Sequence, residues 1–277
     1  MSSSEFYLRL RQPRVLVPGR ATPDGGMDLV VEPGRRTVLM GRSGAGKTLL
    51  ARLALGQLPR SPVRAEGTVE LRVGGASVTV DLASAQPGTD VACLAALRGD
   101  VLSFVPQGGR ENLVPGWTVR DHFEALLPVD SEGGADAGPD AARLEQAIAG
   151  MESLGVSGSA ENLDAVATEL SEGMIRRILV ALSLARGAQV LIIDEPTTGL
   201  DPVSRDSFRK LLDENLLASG AGVLLITHDV GLSKAVGGET LLVDEGVIVA
   251  RTEDLGAGEP PFDRFVHAAQ SAEGVLS

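Results

Sequence analysis

One segment of this chain has the residue types and spacing of a loop that binds phosphate groups. Residues 41–48 fit the pattern G-x-x-x-x-G-K-S/T at every fixed position. Glycines allow consecutive backbone N–H groups to point at phosphate oxygens. Lys47 is expected to reach the β- and γ-phosphates of a nucleotide, and the Thr48 hydroxyl is expected to bind Mg²⁺. The predicted phosphate-binding positions are Gly41, Ser43, Gly44, Ala45, Gly46, Lys47 and Thr48.

Two adjacent carboxylates follow a short apolar run much later in the chain. Residues 190–193 (Val-Leu-Ile-Ile) are typical of a buried central strand, and Asp194 and Glu195 come directly after them. Open α/β sheets bind ligands at the carboxyl ends of their strands, where both side chains would lie. Asp194 is therefore the predicted Mg²⁺ carboxylate, and Glu195 the predicted base that polarises a water. A solvated strand end would explain one carboxylate, but not two in a chain with a phosphate loop.

The elements around these residues fit that chemistry. Residues 37–40 (Thr-Val-Leu-Met) predict a strand before the phosphate loop, and the leucines at 49, 50, 53 and 55 predict a helix after it. The loop then lies at a helix N-terminus, whose dipole favours anions. Residues 67–73 and 77–80, separated by Gly74-Gly75, predict a β-hairpin. Leu144, Ile148 and Met151 have helical spacing.

Further motifs follow in a fixed order: Phe104-Val105-Pro106-Gln107, Leu170-Ser171-Glu172-Gly173-Met174, Gly199-Leu200-Asp201 and Ile226-Thr227-His228-Asp229. With the phosphate loop and the paired carboxylates, they resemble the ATP-binding subunit of an ABC transporter over about residues 5–250. The resemblance implies an α/β P-loop NTPase fold of ABC type, with a parallel core sheet flanked by helices and an antiparallel β subdomain. It also implies an ATPase domain over residues 1–254, a helical subdomain inserted at about 110–168, and a short tail at 255–277.

The resemblance implies roles for residues in the chain's own ATP site. Gln107 would bind Mg²⁺ and couple ATP binding to the helical subdomain. Glu195 would be the general base, and His228 would contact the γ-phosphate and orient the water. A loop amide is the alternative for Gln107, and a structural imidazole for His228. The apolar runs that precede both residues favour the functional roles.

The resemblance implies that other residues act across a dimer, with ATP held between two such domains. Ser171 and Gly173 would touch the γ-phosphate of an ATP on the opposite subunit, and Asp201 would act across the same interface. Glu172 stands where a small uncharged residue is expected. A carboxylate about 4 Å from a phosphate charge costs roughly 1 kcal/mol in water and about 4 kcal/mol at an effective dielectric of 20. This charge favours a heterodimer of two different ATPases, unless the side chain turns outward.

Smaller features suggest the kind of transporter. Met174, followed by Arg176 and Arg177, resembles the ATPases of oligopeptide, dipeptide and nickel importers, as do residues 55–59 and 112–115. The resemblance implies ATP hydrolysis that powers uptake of peptides or a related small solute by separate permease subunits. An extracytoplasmic solute-binding protein is a further expected partner. A non-transport ABC ATPase (DNA repair, translation or an accessory role) and an inactive ATP sensor are the alternatives.

Composition limits the partners. The chain has 277 residues, a net charge of −12 and a single cysteine, Cys93. The negative charge argues against general binding of nucleic acid or anionic lipid. No apolar run approaches the length of a membrane span, and the start has no signal-peptide pattern. Permease subunits are therefore expected to hold the chain at the cytoplasmic face of the cell membrane.

The nucleobase site departs from the family pattern. Members usually stack adenine on an aromatic residue some 25–30 residues before the lysine, but residues 17–23 (Val-Pro-Gly-Arg-Ala-Thr-Pro) contain none. Arg20 is the hypothetical replacement, because a guanidinium plane can stack on an aromatic ring.

Overall fold

The computed structural model describes residues 6–23, 25–128, 140–196 and 220–255, together with residues 262 and 265. The strands in these ranges are β1 (Phe6–Leu16), β2 (Leu29–Val31), β3 (Arg36–Met40), β4 (Arg64–Val73), β5 (Ala76–Asp81), β6 (Leu102–Val105), β7 (Val190–Asp194), β8 (Gly222–Thr227), β9 (Glu239–Asp244) and β10 (Val247–Thr252). The helices are α1 (Lys47–Ala54), α2 (Ala92–Ala95), α3 (Val119–Leu126), α4 (Ala141–Ser153), α5 (Ala160–Leu163), α6 (Glu172–Ala185) and α7 (Val230–Val236), with a 3-10 turn at Arg110–Asn112. None of these helices has the length and apolar content that a membrane span needs.

The described strands form one sheet in the order β5-β4-β1-β10-β9-β3-β8-β7-β6, with β2 paired to β1. Neighbours from β9 to β6 are parallel, and the pairs that involve β10, β1, β2, β4 and β5 are antiparallel. Gly74 and Gly75 join β4 to β5 with φ angles of 55° and 82°, a turn that glycine adopts without strain. The parallel core, the antiparallel strands and the hairpin are therefore confirmed as predicted.

Strand β7 is buried along its whole length between two apolar cores. Leu191 and Ile193 face one core, which is shared with α3, α4, α5 and α6. Val190 and Ile192 face the other, which is shared with α1 and the antiparallel strands. Successive strand side chains point to opposite faces of a sheet, so a continuous apolar run fills both cores. The strand that leads to Asp194 is thereby held from both sides.

Helix α4 confirms the helical spacing predicted from Leu144, Ile148 and Met151, and it packs on α6. The short helix α2 lies against the end of α1. Cys93 on α2 is exposed, whereas Leu94 is buried. Leu94 packs closely on Gly56, since a Cβ added to Gly56 would lie 2.8 Å from the Leu94 Cβ. Phe262 is also buried, against Leu242 and Ala250.

Candidate active site

The phosphate loop joins β3 to α1, as predicted. Gly44 and Gly46 have φ angles of 78° and 100°, which side chains on an L-residue rarely tolerate. Gly41 is pressed against β9, where an added Cβ would lie 2.5 Å from the Val243 carbonyl oxygen. Ser43 and Gly44 are exposed, whereas Ala45 is buried. Since the N-cap residue of α1 is Gly46, which has no side chain to cap the first turn, the backbone N–H groups of that turn are suited to bind an anion.

The Lys47 ammonium lies over this loop. Nζ donates to the carbonyl oxygens of Gly41 at 2.8 Å and Arg42 at 3.1 Å, and it lies 3.9 Å from Glu195 Oε1. Burial lowers the pKa of Lys47, and the charges of Glu195 and Asp194 oppose that shift. The cation is thus held over the loop that is predicted to bind phosphate.

Thr48 and Asp194, 146 residues apart in sequence, meet beside the loop. Thr48 Oγ1 donates to Asp194 Oδ2 at 2.9 Å. The other oxygen, Oδ1, is buried and has no hydrogen-bond partner among the described residues. Burial raises the pKa of Asp194, and the bond from Thr48 opposes that shift. A hydroxyl beside a buried carboxylate oxygen fits hydrated Mg²⁺, which prefers oxygen ligands and would give Oδ1 a partner.

The predicted base and the predicted switch histidine are in contact. His228 Nδ1 lies 2.9 and 2.8 Å from the two carboxylate oxygens of Glu195. Glu195 has a positive φ of 46°, and its N–H donates to the Ile226 carbonyl oxygen at 2.8 Å. A positive φ in a residue other than glycine is strained and is a recurring feature of functional sites. The imidazole is 60% exposed, whereas the carboxylate is 11% exposed. His228 therefore holds Glu195 from the solvent side.

Gln107 lies just beyond β6, across an open cavity of about 470 Å³ from Thr48 and Asp194. It is exposed, and Glu172 and Arg176 line the same cavity. The backbone carbonyl of Gln107 accepts two hydrogen bonds from Arg176. The role of Gln107 in metal binding stays a prediction.

The motif at residues 170–174 forms the start of α6. Ser171 is the N-cap, and its Oγ accepts from the Met174 N–H at 3.2 Å, while Gly173 is buried in the first turn. The Glu172 carboxylate is turned toward its own chain. It accepts from the Gly109 N–H at 3.4 Å and lies 3.5 Å from Arg110 Nε. Asp201 lies outside the described residues.

Arg20 lies beside the phosphate loop, with Nη1 3.4 Å from the Gly44 carbonyl oxygen. Val17, Thr22 and Glu245 line the same small cleft. The stacking of Arg20 on a base stays a prediction.

The sequence alone does not identify Arg110 and Arg176 as site residues. In the sequence Arg176 is only one of a basic pair, because its carbonyl partners, Gln107 and Pro196, lie in other loops of the chain.

Comparison with known proteins agrees with this geometry. A family model described as ABC transporter matches residues 25–198. The nickel import ATP-binding protein NikD of Brucella abortus is 30% identical over 261 residues, which cover 94% of this chain and 88% of that protein. The NikD of Rhodospirillum rubrum is 32% identical, with 81% and 77% covered. The oligopeptide transport ATP-binding protein OppD of Mycobacterium tuberculosis is 30% identical, and the match covers 86% of this chain but 36% of OppD.

Among solved structures, the dimeric bacterial ABC transporter cassette MJ0796 has a TM-score of 0.65 at 20% identity, with 89% of this chain and 98% of that chain covered. At this identity the likeness confirms the fold. The importer names of the relatives confirm the resemblance that Met174 and its neighbours indicated. The chain belongs to the ABC transporter family, as an ATP-binding ATPase that acts with Mg²⁺.

Proposed function

We propose that the chain powers uptake of peptides or a related small solute through separate permease subunits, at the cytoplasmic face of the cell membrane. The observation that carries the proposal is the meeting of Thr48 with Asp194, and of Glu195 with His228, beside the phosphate loop. Similarity to nickel and oligopeptide import ATPases supports import of a small solute. An extracytoplasmic solute-binding protein would deliver that solute to the permeases.

The residues divide the chemistry of hydrolysis among them. Lys47 and the loop N–H groups bind the phosphates. Thr48, Asp194 and Gln107 would hold Mg²⁺, which neutralises charge on the phosphate oxygens. Glu195, held by His228, takes a proton from a water molecule as the oxygen of that water attacks the γ-phosphorus. The bond from phosphorus to the bridging oxygen then breaks to give ADP and phosphate.

The γ-phosphate would be enclosed only when a second ATPase lies opposite. Ser171 and Gly173 at the start of α6, together with Asp201, would then act on an ATP held by the partner. Closure excludes water and adds donors that neither subunit has alone.

We propose that this partner is a different ATPase chain. Glu172 is 47% exposed at the start of α6 and is only partly neutralised by Arg110 at 3.5 Å. At a separation of about 4 Å, repulsion between Glu172 and a partner's phosphate would cost roughly 1 to 4 kcal/mol. That cost would lower the association constant of the closed dimer by roughly fivefold to nearly a thousandfold. Partial exposure favours the lower part of that range. The site built on Lys47 and Glu195 carries no such charge conflict.

Particle mass in solution tests the pairing. A Glu195→Gln variant should bind MgATP without turnover and remain a monomer, because a homodimer would bring two half-exposed Glu172 carboxylates near phosphate. Glu172→Gly in that background should promote dimerisation, and Glu172→Gly alone should speed ATP hydrolysis. Glu145→Gln, which removes an equal charge from an exposed site on α4, should do neither. A stable MgATP homodimer with Glu172 intact would contradict the heterodimer.

Co-purification in mild detergent tests the transport role. Affinity capture of the tagged chain from native membranes should bring down hydrophobic permease subunits and a second ATPase. Capture of ribosomes or DNA, without permeases, would contradict transport and favour a non-transport ABC ATPase.

A further inference from the structure

Arg176 is 5% exposed in the second turn of α6, and it bridges two loops of the active site. Its Nε and Nη2 donate to the Gln107 carbonyl oxygen at 3.0 and 2.8 Å. Its Nη1 donates to the Pro196 carbonyl oxygen at 3.0 Å. One loop follows β6 and the other follows β7. A single guanidinium therefore joins the expected metal ligand to the residue after the expected base.

A second set of contacts joins α6 to the loop that carries Gln107. Arg110 Nη2 donates to the Leu170 carbonyl oxygen at 2.9 Å, and Glu172 contacts both Gly109 and Arg110. Gly109 is also pressed against Ile175, where an added Cβ would lie 2.7 Å from Cγ2. Hydrogen bonds therefore connect the loop to the α6 region on both sides of Gly109.

Arginine is the side chain that can make this bridge. Its planar fork has five N–H donors in fixed directions, whereas a lysine ammonium would reach one carbonyl and leave the other without its donor. Burial lowers the pKa of Arg176, and the nearby charge of Glu172 opposes that shift.

We propose that Arg176 is a positioning residue for ATP hydrolysis, which sets the separation of Gln107 from Asp194 and Glu195 and so completes the Mg²⁺ site in its own chain. This inference rests on hydrolysis at the site described above. Helix α6 would then have two roles. It would support the ATP site of its own subunit, and its first turn would face the partner's ATP. Movement of α6 would then alter metal binding in the same subunit.

The test compares Arg176→Lys with Arg177→Lys in the full chain. Arg177 is a matched control, because its guanidinium also donates to backbone carbonyl oxygens, those of Gly173, Leu154 and Gly155, and its hydrogen bonds within the described ranges reach neither active-site loop. A fluorescent ATP analogue is titrated at increasing Mg²⁺, and amide hydrogen exchange is followed over residues 107–110. Arg176→Lys should raise the Mg²⁺ concentration for half-maximal binding by about tenfold, the usual scale for loss of support to a metal ligand.

The same variant should speed exchange at residues 107–110 and leave metal-free ATP affinity unchanged, since the phosphate loop is intact. Arg177→Lys should change neither the Mg²⁺ dependence nor this exchange. Equal Mg²⁺ dependence in wild type and Arg176→Lys would overturn the inference while leaving the proposed function intact. If Arg176→Lys does not fold, Arg110→Gln, at a half-exposed site, should give a smaller shift in the same direction, and no shift would overturn it. Mg²⁺-independent ATP binding by the wild type would overturn the site assignment itself.

Discussion

Replacement of Asp194 by asparagine should stabilise the nucleotide-free chain while it removes the response to Mg²⁺. Asp194 is 5% exposed, and its Oδ1 has no partner among the residues described. An asparagine of the same shape keeps an oxygen that can accept from Thr48, but it carries no charge to desolvate. Burial of the charged carboxylate is therefore unfavourable in the nucleotide-free chain, and a bound Mg²⁺ would offset that cost.

The magnitude follows from the cost of an unsatisfied buried group. Such a group costs about 1–3 kcal/mol, and more when charged. Because the amide of the Asp194→Asn variant also needs a partner, the net gain in unfolding free energy is expected at about 1 kcal/mol. Thr48→Val provides the paired test, since it removes the hydrogen bond that the Thr48 hydroxyl donates to Asp194 Oδ2 and should destabilise the nucleotide-free chain by about 1–3 kcal/mol. The two changes damage the same metal site with opposite effects on stability.

Urea unfolding of both variants, with and without MgATP, is the assay. Wild type should gain about 2.7 kcal/mol at a ligand concentration a hundredfold above Kd, and both variants should lose most of that gain. Burial raises the pKa of Asp194, so the folded chain holds this proton more tightly than the unfolded chain. The contribution of protonated Asp194 to the free energy of unfolding is thus complete in acid. It is lost as the pH rises through the raised pKa of Asp194. The stability difference between Asp194→Asn and wild type should widen from acid to neutral pH.

Two results would refute this reasoning. One is an Asp194→Asn variant that is destabilised as much as Thr48→Val without nucleotide. The other is a stability difference that narrows toward neutral pH. Either would mean that the carboxylate is well satisfied by the protein alone.

Three further predictions concern the base, the nucleobase and the core. His228→Ala should lower the rate constant of single-turnover hydrolysis about a hundredfold or more, because Glu195 loses its contact with the imidazole; an unchanged rate constant would contradict that pairing. Arg20→Ala should weaken ATP binding two- to fivefold by calorimetry, at about 0.5–1 kcal/mol for an exposed stacked cation, and unchanged affinity would end the stacking hypothesis. Ile192→Ala should cost about 2–5 kcal/mol in urea unfolding, against less than about 1 kcal/mol for the exposed Val249→Ala control; equal costs would contradict the two-core packing of β7.

Residues whose roles follow from local pattern were predictable. The apolar run before Asp194 indicates a strand, and the glycines of residues 41–48 indicate a phosphate loop. Parallel strands end at one edge of a sheet, so the meeting of Thr48 with Asp194, and of Glu195 with His228, followed from topology.

The direction of Glu172 and the role of Arg176 depend instead on distant loops. Glu172 was expected either to face the partner's phosphate or to turn outward, but it contacts Gly109 and Arg110 of its own chain. Nothing in the local sequence indicates that the loop after β6 lies against the start of α6. Whether hydrogen bonds form between such segments depends on side-chain geometry, which periodicity does not encode.

The position of Cys93 has a practical consequence. It is the only cysteine in the sequence and is exposed on α2. The neighbouring Leu94 is packed against Gly56, and the Val91 N–H donates to the Gly56 carbonyl oxygen at 2.8 Å. A thiol-reactive fluorophore therefore attaches at one known place, next to the end of the helix that begins at the phosphate loop. Its emission would report on the surroundings of α2 at the end of α1 in the wild-type sequence, with no engineered cysteine.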